Sequence, residues 1–156
     1  MKTTIRSAYE ADAEDISSVI ISALRETNAN DYSPEIIARV EQSFSAVAVR
    51  RLIKNRTVFV AIRNGGEIVG TASLDGKVVR TVFVSPANHG QGVGTQLMAE
   101  IVQTARASGI AVLTVPSSIT AESFYSKLGF VATRDSYHGD EQTIIMERRL
   151  ELSRNS

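Results

Sequence analysis

Three glycines at alternate positions, Gly90, Gly92 and Gly94, lie within the run Pro86-Ala87-Asn88-His89-Gly90-Gln91-Gly92-Val93-Gly94-Thr95. The run falls between a strand-like stretch and the first turn of a helical one. Unpaired N–H groups and the positive end of the helix dipole point outward at such a turn. Glycines there let an anion approach the backbone, so a phosphate group is the natural guest. A tight strand-to-helix turn without a ligand is the plain alternative.

The phosphate ligand can be narrowed. A dinucleotide fingerprint read from Gly92 needs a third glycine or alanine where Leu97 stands. A P-loop needs a Gly-Lys-Ser/Thr ending, and that tripeptide is absent. Nor is there a Gly-x-Ser-x-Gly elbow for a serine hydrolase. The two histidines, His89 and His138, are 49 positions apart with no carboxylate pattern around them, so they read as loop residues and no metal site is expected.

The elements that must position this turn follow from periodicity. Thr3 to Arg6 is weakly strand-like, and Asp12 stands where an N-cap belongs ahead of Ile16, Val19, Ile20, Ala23 and Leu24 at helical spacing. Ser33-Pro34-Glu35 starts a second helix, and a third runs from about Ala46 to Asn55. The basic cluster Arg50, Arg51, Lys54 and Arg56 on it reads as a solvated face. Three strands joined by tight turns come next, Thr57 to Ile62, Glu67 to Leu74 and Lys77 to Val84, and must pair antiparallel.

After Pro86 the stripe Val93, Leu97, Met98, Ile101, Val102 and Ala105 marks a helix that stops at Gly109. Ile110 to Val115 then reads as a buried strand completing a βαβ unit, which requires a parallel pairing. A short helix from Thr120 to Leu128 and two closing strands, Phe130 to Tyr137 and Thr143 to Leu150, flank a polar loop. The fold class is α+β, with a mixed, mostly antiparallel, twisted central sheet flanked by helices.

Composition sets the outer bounds. With 156 residues the chain is expected to form one domain, 1–156, and to bury roughly 70% of its unfolded surface. Zero cysteines exclude disulfides, thiolate metal sites and a cysteine nucleophile. Seventeen basic and seventeen acidic residues leave no net charge, which argues against a nucleic-acid partner. No apolar run reaches the roughly 20 residues of a membrane span, and the opening Met-Lys-Thr-Thr-Ile-Arg has no signal-peptide core. The expectation is a cytoplasmic protein that uses neither membrane nor nucleic acid.

The turn resembles the acetyl-CoA motif of the GCN5-related N-acetyltransferase (GNAT) superfamily, Arg/Gln-x-x-Gly-x-Gly/Ala, at His89-Gly90-Gln91-Gly92-Val93-Gly94. Residues Ser118 to Phe130 resemble the same family's Asn-x-x-Ala-x-x-Phe-Tyr-x-x-x-Gly-Phe block. The order of elements matches end to end. His89 stands where the family has Arg or Gln, and Ser118 where Asn is common. The strand before the turn lacks a glutamate that some members use as base.

The resemblance implies the acyl-CoA N-acyltransferase fold and acetyl-CoA as cosubstrate. The pyrophosphate would sit on the N–H groups of Gln91, Gly92, Val93, Gly94 and Thr95, with His89, Gly90 and Ser118 beside the coenzyme. In the family the strand ending at Val84 carries a bulge and splays from the next, ending at Val115, so that pantetheine runs between them. Backbone groups of Phe83 and Val84 would line the acetyl group, the Val84 N–H polarising its carbonyl.

Tyr125 would protonate the departing thiolate. From spacing alone, Phe124-Tyr125 reads as aromatic packing on a short helix. Asp31, Glu35, Asp75 and water are the candidates for the base, and the sequence does not choose among them. The segment Asn30 to Glu35 reads equally as a capped loop or as part of the acceptor site the family builds there. The expected reaction is direct transfer to a primary amine of a small molecule. A non-catalytic acyl-CoA-binding domain is the rival, and the assembly is left open, a homodimer being the commonest.

Overall fold

The computed structural model describes residues 3–27, 33–63, 65–138 and 141–151. Seven strands and five α-helices appear in it, in the order β1 (Thr3–Ser7), α1 (Ala13–Thr27), α2 (Pro34–Gln42), α3 (Ala46–Asn55), β2 (Thr57–Arg63), β3 (Ile68–Asp75), β4 (Val78–Val84), α4 (Val93–Ala107), β5 (Val112–Ser117), α5 (Glu122–Lys127), β6 (Val131–His138) and β7 (Glu141–Arg149). The strands hydrogen-bond in the order β1-β2-β3-β4-β5-β7-β6. β1 with β2, β5 with β7 and β6 with β7 pair antiparallel, and β4 with β5 pairs parallel at Val78 and Thr114. This is the mixed, mostly antiparallel sheet expected from the turns. The chain divides into two compact units, Met1–Ser73 with Thr81–Met98, and Leu74–Arg80 with Ala99–Ser156.

In the first unit the apolar stripe of α1 makes the core. Ile16, Val19, Ile20 and Leu24 pack with Val49 of α3, Val58 and Val60 of β2, and Ile68 of β3. Each such side chain contributes roughly 1.5–3 kcal/mol by leaving water. β3 is buried at seven consecutive positions, Ile68 to Leu74, the pattern of a strand covered on both faces. Its polar Thr71 is accommodated because the hydroxyl donates to the Phe59 carbonyl at 2.9 Å. Helix starts follow the sequence closely: Ser33 and Ser45 accept from the Ile36 and Ala48 amides, each at 3.3 Å.

Asp12 differs from its expected role. It ends a 3-10 turn, Glu10–Asp12, and its carboxylate reaches back to accept from the Tyr9 amide at 2.7 Å. Arg6 grips the same carboxylate through two bonds, at 2.8 and 3.1 Å, while its guanidinium lies 4.5 Å from the centre of the Tyr9 ring. A cation on β1, six residues earlier in the chain, outcompeted the α1 amides for this side chain.

In the second unit β7 is the central strand, paired with β5 from Val112↔Arg149 to Ser117↔Ile144 and with β6 from Val131↔Glu147 to His138↔Glu141. β5 runs two residues past its expected end, through Pro116, which faces Ile145. α5 is shorter than the expected Thr120 to Leu128 helix, because residues 118–121 form a turn of their own. The closing strands extend into the polar segment, so His138 is a strand residue rather than a loop residue. Ladder pairing as far as His138↔Glu141 overrode the local polarity.

Candidate functional site

The glycine turn lies wholly in the first unit. After β4 the chain makes a 3-10 turn, Pro86–Asn88, closed by the Asn88 amide donating to Ser85 O at 2.8 Å. Gly90 and Gly92 then adopt φ of 79° and 77°, the left-handed region that side chains disfavour. A Cβ at either glycine would meet nothing within 4 Å. The amide of Gln96 donates to Gly92 O at 3.0 Å, so Gly92 is the N-cap of α4. A glycine cap offers no side-chain oxygen, and the amides of Val93, Gly94 and Thr95 have no partner within the helix. The turn therefore presents adjacent donors beside open space at the positive end of a 15-residue helix. Gln91, Gly92 and Thr95 are exposed, which suits a phosphate arriving from solvent.

Two buried residues hold this turn in place. Val93 is 1% exposed and its Cγ1 would stand 3.0 Å from a Cβ on Gly70, as would Leu97 Cδ1. Only glycine at position 70 lets α4 begin this close to β3. Asn88, also 1% exposed, donates to Gln91 Oε1 at 3.4 Å across the turn. Gly70 and the burial of Asn88 escaped the sequence reading, although a lone glycine inside an apolar strand is a recognised sign of close approach.

β4 leads into the turn through an irregularity. Thr81 has φ of 57°, the one described non-glycine residue in the left-handed region. For a β-branched residue this is a strained conformation costing about 1–3 kcal/mol. Arg56, which caps the end of α3, donates to its hydroxyl at 3.3 Å. Beyond it Phe83 and Val84 are half-buried, and the Phe83 ring meets Phe44 edge-on with centroids 6.0 Å apart. The His89 ring turns back to the strand, its Nε2 3.2 Å from Val84 O. Phe83, Val84 and His89 to Thr95 are thus brought together in one unit.

Ser118 and Tyr125 belong to the second unit. The Ser118 hydroxyl accepts from the Ala121 amide at 3.2 Å and so shapes the turn into α5. Tyr125 is 6% exposed, its ring edge-on to Phe124 at 5.1 Å and to Phe130 at 5.8 Å. Burial pushes its phenol pKa well above the usual value of 10, which keeps the hydroxyl protonated. Aromatic packing and proton storage coincide in this residue.

Of the carboxylates expected near an acceptor, two lie on described elements. Asp31 lies outside the described residues. Glu35 is exposed in the first turn of α2. Asp75 ends β3 at the turn into β4 and is ion-paired with Arg80 at 3.5 Å. Among the described residues no cluster of His, Asp and Glu could hold a metal ion. No described helix is long and apolar enough to cross a membrane.

Comparison with known proteins was made by sequence and by structure. Residues 28–146 match the family described as "Acetyltransferase (GNAT) domain". No curated protein matches the sequence significantly. Among solved structures, a GCN5-related N-acetyltransferase from Rhodopseudomonas palustris is similar at 25% identity and a TM-score of 0.88, over 96% of this chain and 97% of its own. The PaiA N-acetyltransferase of Thermoplasma acidophilum, solved with coenzyme A, superposes at 0.83 with 20% identity over 96% and 99% of the two chains. The ribosomal-protein-S18-alanine N-acetyltransferase of Escherichia coli superposes at 0.69 with 17% identity over 99% and 97%.

Proposed function

The chain belongs to the GNAT acetyltransferase family, and from that membership we propose that it moves the acetyl group of acetyl-CoA to a primary amine of a small molecule. One acetyltransferase domain spans residues 1–156 in this reading, which the near-complete overlap with the Rhodopseudomonas structure supports. The observation that carries the reading is the N-cap of α4. Left-handed Gly90 and Gly92, with nothing within 4 Å of where a Cβ would stand, lead into uncapped amides, a setting that fits the pyrophosphate of coenzyme A. Acetyl-CoA supplies the activated acetyl thioester.

The chain's own residues then bind, polarise and donate. Backbone N–H groups from Gln91 to Thr95 hold the pyrophosphate, flanked by His89 and Gly90. Phe83 and Val84 line the acetyl group, and the Val84 N–H stabilises negative charge as it develops on the carbonyl oxygen. The deprotonated amine attacks the carbonyl carbon directly, the carbon–sulfur bond breaks, Tyr125 gives its proton to the sulfur, and the proton shed by the new amide nitrogen returns to the phenolate through water. Burial holds the phenol neutral through neutral pH, so the proton is in place when the thiolate departs. Ser118 orders the turn ahead of Tyr125.

The test is release of free thiol from acetyl-CoA with polyamines, amino acids, aminoglycosides and arylamines, alongside a peptide with an N-terminal alanine. The peptide arm is included because one structural neighbour is named for an alanine of a ribosomal protein. Turnover with a small amine is expected. Turnover with the peptide alone moves the acceptor to the protein class. Tight CoA binding with no thiol release from any acceptor favours an acyl-CoA-binding domain without catalysis.

A further inference from the structure

The peptide that closes β4 is held from two sides. Its N–H, on Ser85, donates to Val69 O at 2.8 Å, toward β3. Its carbonyl, on Val84, points the other way and meets the His89 ring Nε2 at 3.2 Å. A carbonyl only accepts, so Nε2 is the donor. In an extended strand a residue's own N–H and C=O point to one edge, and those of its neighbours to the opposite edge. The Val84 N–H therefore shares the edge on which the His89 ring stands, away from β3.

We propose that His89 is a positioning residue for acyl transfer, its ring fixing the last peptide of β4 so that the Val84 N–H keeps its aim. The proposal rests on the acetyl-transfer reading given above. A peptide is planar, so holding the N–H of Ser85 and the C=O of Val84 together stops rotation about ψ of Val84. The adjoining N–H on the same residue then has one backbone rotation fewer by which to swing away. The ring also ties the strand to the cradle, because His89 leads directly into left-handed Gly90. A histidine whose ring lies against the strand works through Val84 rather than through the phosphates.

Two substitutions separate these roles. In His89→Gln the amide nitrogen reaches about as far as Nε2 and can donate to the same carbonyl, whereas in His89→Asn it stops short. His89→Asn is expected to lower kcat at least tenfold, with CoA affinity changed less than twofold by calorimetry. His89→Gln should keep at least half the parental kcat. Hydrogen exchange at the Ser85 amide should quicken at least fivefold in His89→Asn and stay near parental in His89→Gln. Unchanged exchange, or unchanged kcat in His89→Asn, overturns the proposal. Weakened CoA binding at parental kcat also overturns it, by assigning the ring to the phosphates. Parental protein that binds no CoA sinks the acetyl-transfer reading and this role with it. Parental protein that turns over normally beside an equally active His89→Asn sinks the role of His89 alone.

Discussion

The Cβ that Gly70 lacks would lie 3.0 Å from Cγ1 of Val93, tighter than nine in ten real Cβ contacts. Leu97 Cδ1 stands at the same distance, and the backbone oxygen of Phe83 at 3.3 Å. One hydrogen atom in the middle of β3 thus sets where α4 starts, and with it where its free amides point. Gly70→Ala should lower stability by about 1–2 kcal/mol. Overpacking costs roughly 1–3 kcal/mol and outweighs the 0.4–1 kcal/mol gained by stiffening the unfolded chain. Denaturant unfolding checks the stability, and calorimetry should show weaker CoA binding in the same variant.

At the N-cap, Gly92→Asp should weaken CoA binding at least tenfold, or about 1.4 kcal/mol. The substitution places a carboxylate against the proposed pyrophosphate. Asparagine tolerates the left-handed conformation and has nearly the same shape without the charge. Gly92→Asn should therefore lose distinctly less affinity than Gly92→Asp. Equal affinity of parent and folded Gly92→Asp in calorimetry removes the phosphate cradle from this turn.

Tyr125→Phe keeps the ring between Phe124 and Phe130 and removes only the hydroxyl. The expected loss is roughly 10²-fold in kcat with KM for acetyl-CoA unchanged, the pattern of an interaction made in the transition state. Parental kcat in this variant across pH 6 to 10 would assign the residue to packing.

The raised phenol pKa of Tyr125 has a second readout. The folded state holds this proton more tightly than the unfolded state does. Its contribution to stability is complete below about pH 10, the unfolded value, and is lost as pH rises beyond it. Ultraviolet titration of the four tyrosines should show one phenolate that forms only on alkaline unfolding. That late step should vanish in Tyr125→Phe.

Acid should act through Asp12. The hydrogen bonds from Arg6, and secondarily the Tyr9 amide, hold its carboxyl below the usual carboxylate range. The stabilisation is present above an unfolded pKa of about 3.9 and disappears as pH falls through the lowered folded value. Asp12→Asn should cost roughly 1.5–3 kcal/mol at pH 7. Thermal melts of the two proteins should converge as the parent is acidified toward pH 2.

Local pattern carried much of this architecture. Ile16, Val19, Ile20, Ala23 and Leu24, the α1 positions its periodicity names, are all buried, and α3 ends where expected. The glycine turn was visible because glycine spacing is a property of neighbouring residues. What local pattern could not hold is what distant residues decide. Asp12 answers to Arg6, and Pro116 stays in its strand because β7 supplies the facing residues. The His89 ring chose a carbonyl that no spacing rule would name. Asn88 lies buried in a stretch whose composition reads as exposed loop.

Thr81 interrupts the alternation of β4. Before it, Val79 is fully buried and Arg80 exposed, as alternation requires; after it, Val82, Phe83 and Val84 are all half-buried. A left-handed residue is the means by which a bulge consumes one position without advancing the pleat. What β4 offers at its far end is then fixed by a count of residues more than by the identity of residue 81. Asparagine or glycine there keeps the count and relieves the strain. Deleting the residue would restore an unbroken pleat and turn the backbone donors of Phe83 and Val84 to the opposite edges, leaving every side chain chemically intact but the strand out of phase.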